Sequence, residues 1–284
     1  MEKKPFLVCI DSDGCAFDTM EIKHKECFCP AYIEYFGLQA VSKYARDAWD
    51  FANLYSRYRG IHRLLSLLKA LEVLAERREV QERHFTPPAL TELRSYVQQG
   101  LPLSNAGLQS YLDQHPDAQD IRTALEWSVE VNRRVGRMVH GVPPFPHMRE
   151  SLEKLSLHAD IVIVSATQQL ALEREWGEHN LLPLVSAVKG QESGSKKEII
   201  AALRGDYGPN HVLMIGDAPG DLEAARANDA LFYPICPDQE AESWAAFAQC
   251  MDAFLNGSYA GAMEAEQIAH FETLLPDEPA WKRG

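Results

Sequence analysis

The stretch Phe6-Leu-Val-Cys-Ile10-Asp11-Ser-Asp13-Gly14 limits the possible fold more tightly than any other part of the chain. Five mostly apolar residues with β-branched members, ended by Asp and Gly, read as a central strand of a parallel sheet, covered on both faces. Side chains alternate along an extended chain, so Asp11 and Asp13 point the same way if strand geometry persists to the tip. Two carboxylates that close repel each other unless a proton or a cation lies between them. The strand therefore predicts two covering layers and a positive group at its end.

The covering layers are sought in the rest of the chain. After Gly14 the pattern becomes helical: apolar and aromatic residues recur at three-to-four spacing over 21–35 and 43–58, with Gly37 between. Ile61, Leu64, Leu65, Leu68, Leu71, Leu74 and Ala75 form the clearest stripe. A helix is expected over 87–99 after Pro87-Pro88, and shorter pieces reach Pro116. A long helix is then expected over 117–139, with Leu125, Val129, Val135 and Met138 on its packed side. Nothing from 18 to 142 reads as a strand. The run Gly141-Val-Pro143-Pro144-Phe-Pro146 is the strongest punctuation in the chain, and α/β alternation follows it. Strands are expected at 160–164, 184–188, 212–215 and 230–235, separated by helices at 147–157, 168–178, 196–204 and 220–227. Two helices, 239–255 and 259–275, close the chain. With Phe6–Ile10 this makes five strands in a Rossmann-like, doubly wound parallel α/β sheet. The expected division is a core of 1–17 and 143–284 with an all-α block, 18–142, inserted into it.

Charge and cysteine usage narrow the function. The net charge of −13 argues against a nucleic-acid backbone as partner, which would need a basic face. Residues 18–142 are balanced, with 16 basic and 16 acidic residues, so the acidity lies in the α/β part. Twelve of those 16 basic residues are arginine, suited either to fork-like recognition of phosphate or carboxylate or to a solvated helical surface. The six scattered cysteines read as reduced thiols, and Cys27-Phe-Cys29 lacks the second pair a metal site would need. No apolar run approaches the roughly 20 residues needed to span a bilayer, and the start lacks a signal-peptide core, so a cytoplasmic protein is expected.

In an open α/β sheet, polar residues at the C-terminal ends of strands converge on one crevice. Those ends supply Asp11 and Asp13, then Ser165-Ala166-Thr167, then Gly216-Asp217-Ala-Pro-Gly-Asp221, with Lys196 and Lys197 opening the helix before the fourth strand. In these residues the sequence resembles the haloacid dehalogenase-like superfamily of phosphohydrolases. Its Asp-x-Asp-Gly motif appears at Asp11–Gly14, followed by Asp18-Thr19. Its strand-end Ser or Thr is matched by Ser165, its helix-start lysine by Lys196 or, shifted by one, Lys197, and its Gly-Asp-x-x-x-Asp by Gly216–Asp221. A single Asp-x-Asp-Gly is weak evidence, but four motifs in order at expected strand ends are strong.

The resemblance implies a phosphatase that acts on a small phosphorylated metabolite. Asp11 would attack phosphorus and Asp13 would act as general acid and base. Mg²⁺ would be held by Asp11, the Asp13 carbonyl, Asp217 and Asp221. Ser165, Ala166 and Lys196 would hold the phosphoryl oxygens, and the helical insert would be a cap that chooses the substrate. Within it, Arg57, Arg59 or Arg63 is expected either to meet a substrate anion or to lie on ordinary surface. Asp13 disfavours carbon–halogen and carbon–phosphorus cleavage, because relatives with those activities generally lack an acid there. Sugar phosphomutases of the β-phosphoglucomutase type share the first motif, and Lys23 and His24 lie near the hinge such enzymes use, so a mutase is the alternative. A catalytically silent binding protein on the same fold is the third reading.

Overall fold

The computed structural model describes residues 3–205 and 207–282. Two compact units divide the chain: Met1–Met20 with Gly141–Leu275, and Glu21–His140 with Pro276–Gly284. The sheet unit thus takes a few more residues at each junction than expected. Residues 276–282 group with the helical unit.

The sheet has five parallel strands in the order β3-β2-β1-β4-β5. They are β1 (Phe6–Ile10), β2 (Ala159–Val164), β3 (Ala187–Lys189), β4 (Val212–Gly216) and β5 (Leu231–Pro234). β1 is central, as its unbroken apolar run requires. Its side chains feed two separate cores: Val8 and Ile10 pack with Ile161, Ile163, Leu213 and Ile215 on one face. Leu7 and Cys9 pack with Val162, Val164, Val212 and Met214 on the other. β3 lies at an edge and is shorter than expected, because Leu182–Leu184 turns into a 3₁₀ helix after Pro183 fixes its backbone.

Helices are numbered here in chain order. The one-turn α1 (Thr19–Ile22) leads out of the sheet unit, and a π-helical turn over Lys23–Phe28 follows it. The helical unit then contains α2 (Cys29–Tyr35), α3 (Ser42–Asn53), α4 (Arg63–Ala75), α5 (Arg78–Gln81), α6 (Thr91–Gln98), α7 (Asn105–Gln114) and α8 (Gln119–Met138). Its centre is aromatic: Trp49 lies 4.8 Å from Tyr32 and 6.0 Å from Trp127, ring centre to ring centre. α8 buries Ile121, Ala124, Trp127, Ser128 and Val131. The expected face was wrong: Val129 is 52% and Met138 46% exposed, and Trp127, with far more area to hide than any aliphatic, sets the rotation of the helix.

Back in the sheet unit run α9 (Met148–Leu155), α10 (Gln169–Glu178), α11 (Lys196–Arg204), α12 (Pro219–Arg226), α13 (Glu240–Asn256) and α14 (Ala262–Leu274). α11 starts on a capping box, in which Ser195 accepts the Glu198 amide and Glu198 reaches back to the Ser195 amide, so the position of Lys196 is fixed by local sequence. All six cysteines are buried free thiols. Among the described residues no helix is long and apolar enough to cross a membrane.

Candidate active site

Asp11 directly follows β1, with its amide still in the ladder to the Ile215 carbonyl at 3.0 Å. Asp217 directly follows β4, and Asp221 lies in the first turn of α12 behind Pro219. Ligand oxygens of Asp11, Asp217 and Asp221 lie within 4.8 Å of one another, and all three residues are buried. Asp221 Oδ2 accepts the amides of Asp217 (3.2 Å) and Ala218 (3.1 Å), which locks the turn between β4 and α12. Gly216 makes this turn possible, because a Cβ there would stand 2.4 Å from the Asp221 carboxylate.

Lys196 projects from the start of α11 between two of these acids, with Nζ 2.5 Å from Asp11 Oδ2 and 2.5 Å from Asp221 Oδ1. Lys197 makes no such pairing among the described residues; its backbone carbonyl accepts a bond from Asn228. Burial disfavours the charged ammonium of Lys196, but the two carboxylates outweigh it and hold the proton on. For Asp11 burial raises the carboxyl and Lys196 opposes it, while Asp221 and Asp217 add to the rise, which reaches about 8. Were all three carboxylates ionised against the one ammonium, the buried pocket would hold two uncompensated negative charges, which is part of what pushes Asp11 up. A divalent cation with a preference for hard oxygen ligands fits both that charge and that donor set.

Asp13 stands apart from the cluster. Its Oδ1 accepts the Thr19 hydroxyl and its Oδ2 the Thr167 hydroxyl at 2.8 Å, so its carboxylate is oriented by two neutral donors. Ser165 is buried; its amide continues the β2–β3 ladder and its Oγ accepts the Thr167 amide at 3.2 Å. Ala166 beside it is exposed. Thr167 is the residue that sequence reasoning missed. The available signal was its place two positions beyond Ser165 on the strand end.

The cap arginines do not form one anion-binding group. Arg57 pairs with Asp277 at 2.5 Å, and Arg59 is 2% exposed and donates to the Leu54 carbonyl. Arg63 donates to Asn132 Oδ1 at 2.6 Å and stacks over Phe28. All three are engaged inside the helical unit, Arg57 on its exposed surface and Arg59 in its interior.

The doubly wound sheet, with a carboxylate cluster and a lysine at the C-terminal ends of its central strands, defines an α/β protein with an acidic site in its crevice. The family model for haloacid dehalogenase-like hydrolases matches residues 69–233, more than half of the chain, and the protein belongs to that family. No curated protein sequence matches it. Among solved structures it resembles a predicted phosphoglycolate phosphatase from Haemophilus somnus. That pair is 12% identical with a TM-score of 0.53, covering 88% of this chain and 100% of the other, and the likeness is one of fold. A HAD-superfamily hydrolase of subfamily IA from Geobacter sulfurreducens matches at 15% identity and a TM-score of 0.41, over 81% of this chain and 87% of that one. A hydrolase from Streptococcus pneumoniae matches at 16% identity and a TM-score of 0.44, over 88% and 100% respectively.

Proposed function

We propose that this hydrolase is a Mg²⁺-dependent phosphatase that cleaves a small phosphorylated metabolite through an aspartyl-phosphate on Asp11. The observation that carries the reading is the convergence of Asp11, Asp217 and Asp221 on one point, with Lys196 between two of them. Phosphate monoesters are anionic, so hydrolysis depends on neutralising charge and aligning the attacking oxygen. Asp11, Asp217 and Asp221, with the Asp13 carbonyl, would hold the metal, which when bound would neutralise phosphoryl oxygens. Lys196 would give up part of its pairing with Asp11 to bind a phosphoryl oxygen, and the Ser165 hydroxyl and Ala166 amide would bind the others. Asp13, held by Thr19 and Thr167, would protonate the leaving alcohol and then take a proton from water as the P–O bond to Asp11 breaks.

The test compares wild type and Asp11→Asn in a Mg²⁺-dependent assay with p-nitrophenyl phosphate, followed by a panel of sugar, nucleotide and glycolate-type phosphates. Phosphate release by wild type and its loss in the variant are expected. Conversion of a sugar 1-phosphate to its 6-phosphate without release would sink the phosphatase reading in favour of a mutase.

A further inference from the structure

Ser12, between the two acids of the first motif, is completely buried and every polar group it carries is engaged. Its hydroxyl donates to Glu175 Oε2 at 2.9 Å and accepts the Trp176 indole N–H at 2.9 Å, both from α10. Its carbonyl accepts the amides of Cys15, Ala16 and Phe17 at 3.3, 2.9 and 3.1 Å. Its own amide donates to Asp11 Oδ1 at 2.7 Å. Further round the same loop, the Trp244 indole N–H donates to the Cys15 carbonyl at 2.8 Å, so two indoles from different helices pin the turn.

A hydroxyl has one proton to give, and here it goes to a carboxylate, the stronger kind of acceptor. With its side chain clamped by α10 and its carbonyl bonded in the turn, Ser12 is held on both sides of its Cα. Its N–H therefore fixes Asp11 Oδ1, while Lys196 fixes Oδ2. An apolar residue at position 12 would offer neither an O–H to the Glu175 carboxylate nor an acceptor to the Trp176 indole, so the three residues make sense as a set. We propose that Glu175 and Trp176 are positioning residues that act through Ser12 to hold the Asp11 carboxylate in line for attack. The inference rests on Asp11 being the nucleophile.

The test uses Glu175→Ala, Glu175→Gln, which retains a carbonyl acceptor in the same volume, and Glu175→Met, which fills the volume without one. Steady-state hydrolysis of p-nitrophenyl phosphate with Mg²⁺ is measured alongside uptake of trifluoroberyllate, an aspartyl-phosphate mimic, by ¹⁹F NMR. Loss of alignment without loss of a substrate contact should lower kcat on the order of tenfold in the Ala and Met variants, with KM nearly unchanged. Glu175→Gln should recover most of that loss, and trifluoroberyllate uptake should weaken in the same order. Should Glu175→Ala fail to fold, Glu175→Met carries the same comparison. The positioning role is overturned if the folded Met variant keeps wild-type kcat, or if Gln is no better than Met. If wild type itself neither releases phosphate nor takes up trifluoroberyllate, the nucleophile reading fails and the positioning role with it.

Discussion

Gly216 shows how much the candidate site owes to a single missing methyl group. The Asp221 carboxyl carbon would lie 2.4 Å from a Cβ at this position, and the carboxylate cannot retreat while the Asp217 and Ala218 amides and Lys196 hold it. Gly216→Ala should therefore displace Asp221 and weaken Mg²⁺ binding, measured by isothermal titration, by at least about tenfold with the sheet still formed. In the helical unit the informative single residue is Asp50. Burial pushes its carboxyl up to about 6; Lys25 pulls against this, and Glu21 and Asp47 add to it. The folded state thus holds this proton more tightly than the unfolded chain. Its contribution to stability is fully present below the ordinary carboxylate range and is lost as pH rises through about 6. Asp50→Asn should stabilise the protein above pH 6, by about 1 kcal/mol once solvent screening of this half-buried group is allowed for, and leave it unchanged near pH 4. Urea unfolding at the two pH values checks the sign.

At the scale of elements, the C-terminal segment is the part no pattern announced. After α14 the chain returns to the helical unit, where the Trp281 ring lies 4.4 Å from the Arg77 guanidinium and 6.1 Å from Phe51. Arg77 is itself held by Asp47 at 2.6 Å and is nearly buried. Trp281→Ala should cost about 2 kcal/mol through lost area and the lost cation–π contact. The loss should appear as faster amide exchange in α3 and α4 rather than in the strands. Arg57→Ala, which removes the exposed pair with Asp277, should change stability by under about 0.5 kcal/mol. The contrast separates an aromatic anchor from a surface ion pair. Helix positions were easier to read than helix faces. α11 is found at Lys196–Arg204 as expected because its capping signals are local. The face of α8 was misjudged because burial depends on which neighbours supply the cavity, and for Trp127 those are Phe28, Phe36 and Trp49 from other segments.

For the molecule as a whole, the buried carboxylate cluster links metal binding to folding. A cation that binds the native carboxylate cluster and not the unfolded chain stabilises the fold by about 2.7 kcal/mol at a hundredfold excess over Kd. Mg²⁺ should raise the Tm of wild type by several degrees and EDTA should reverse the change, whereas Asp217→Asn should show neither effect; differential scanning calorimetry reads all three. The sequence alone determined the parallel sheet, its central strand, the inserted helices and the motif residues at the strand ends, because alternation, capping and apolar runs are local physics. It also brought Asp11, Asp217 and one of the two lysines that open α11 to one crevice, because polar residues at strand ends in such a sheet converge there. Only the tertiary structure decided that Lys196 rather than Lys197 enters the cluster, that Thr19 and Thr167 share Asp13, and that Glu175 and Trp176 clamp Ser12. Those pairings join residues up to 185 positions apart through contacts of about 3 Å. Spacing along a chain cannot encode such contacts; the packing of helices on the sheet does.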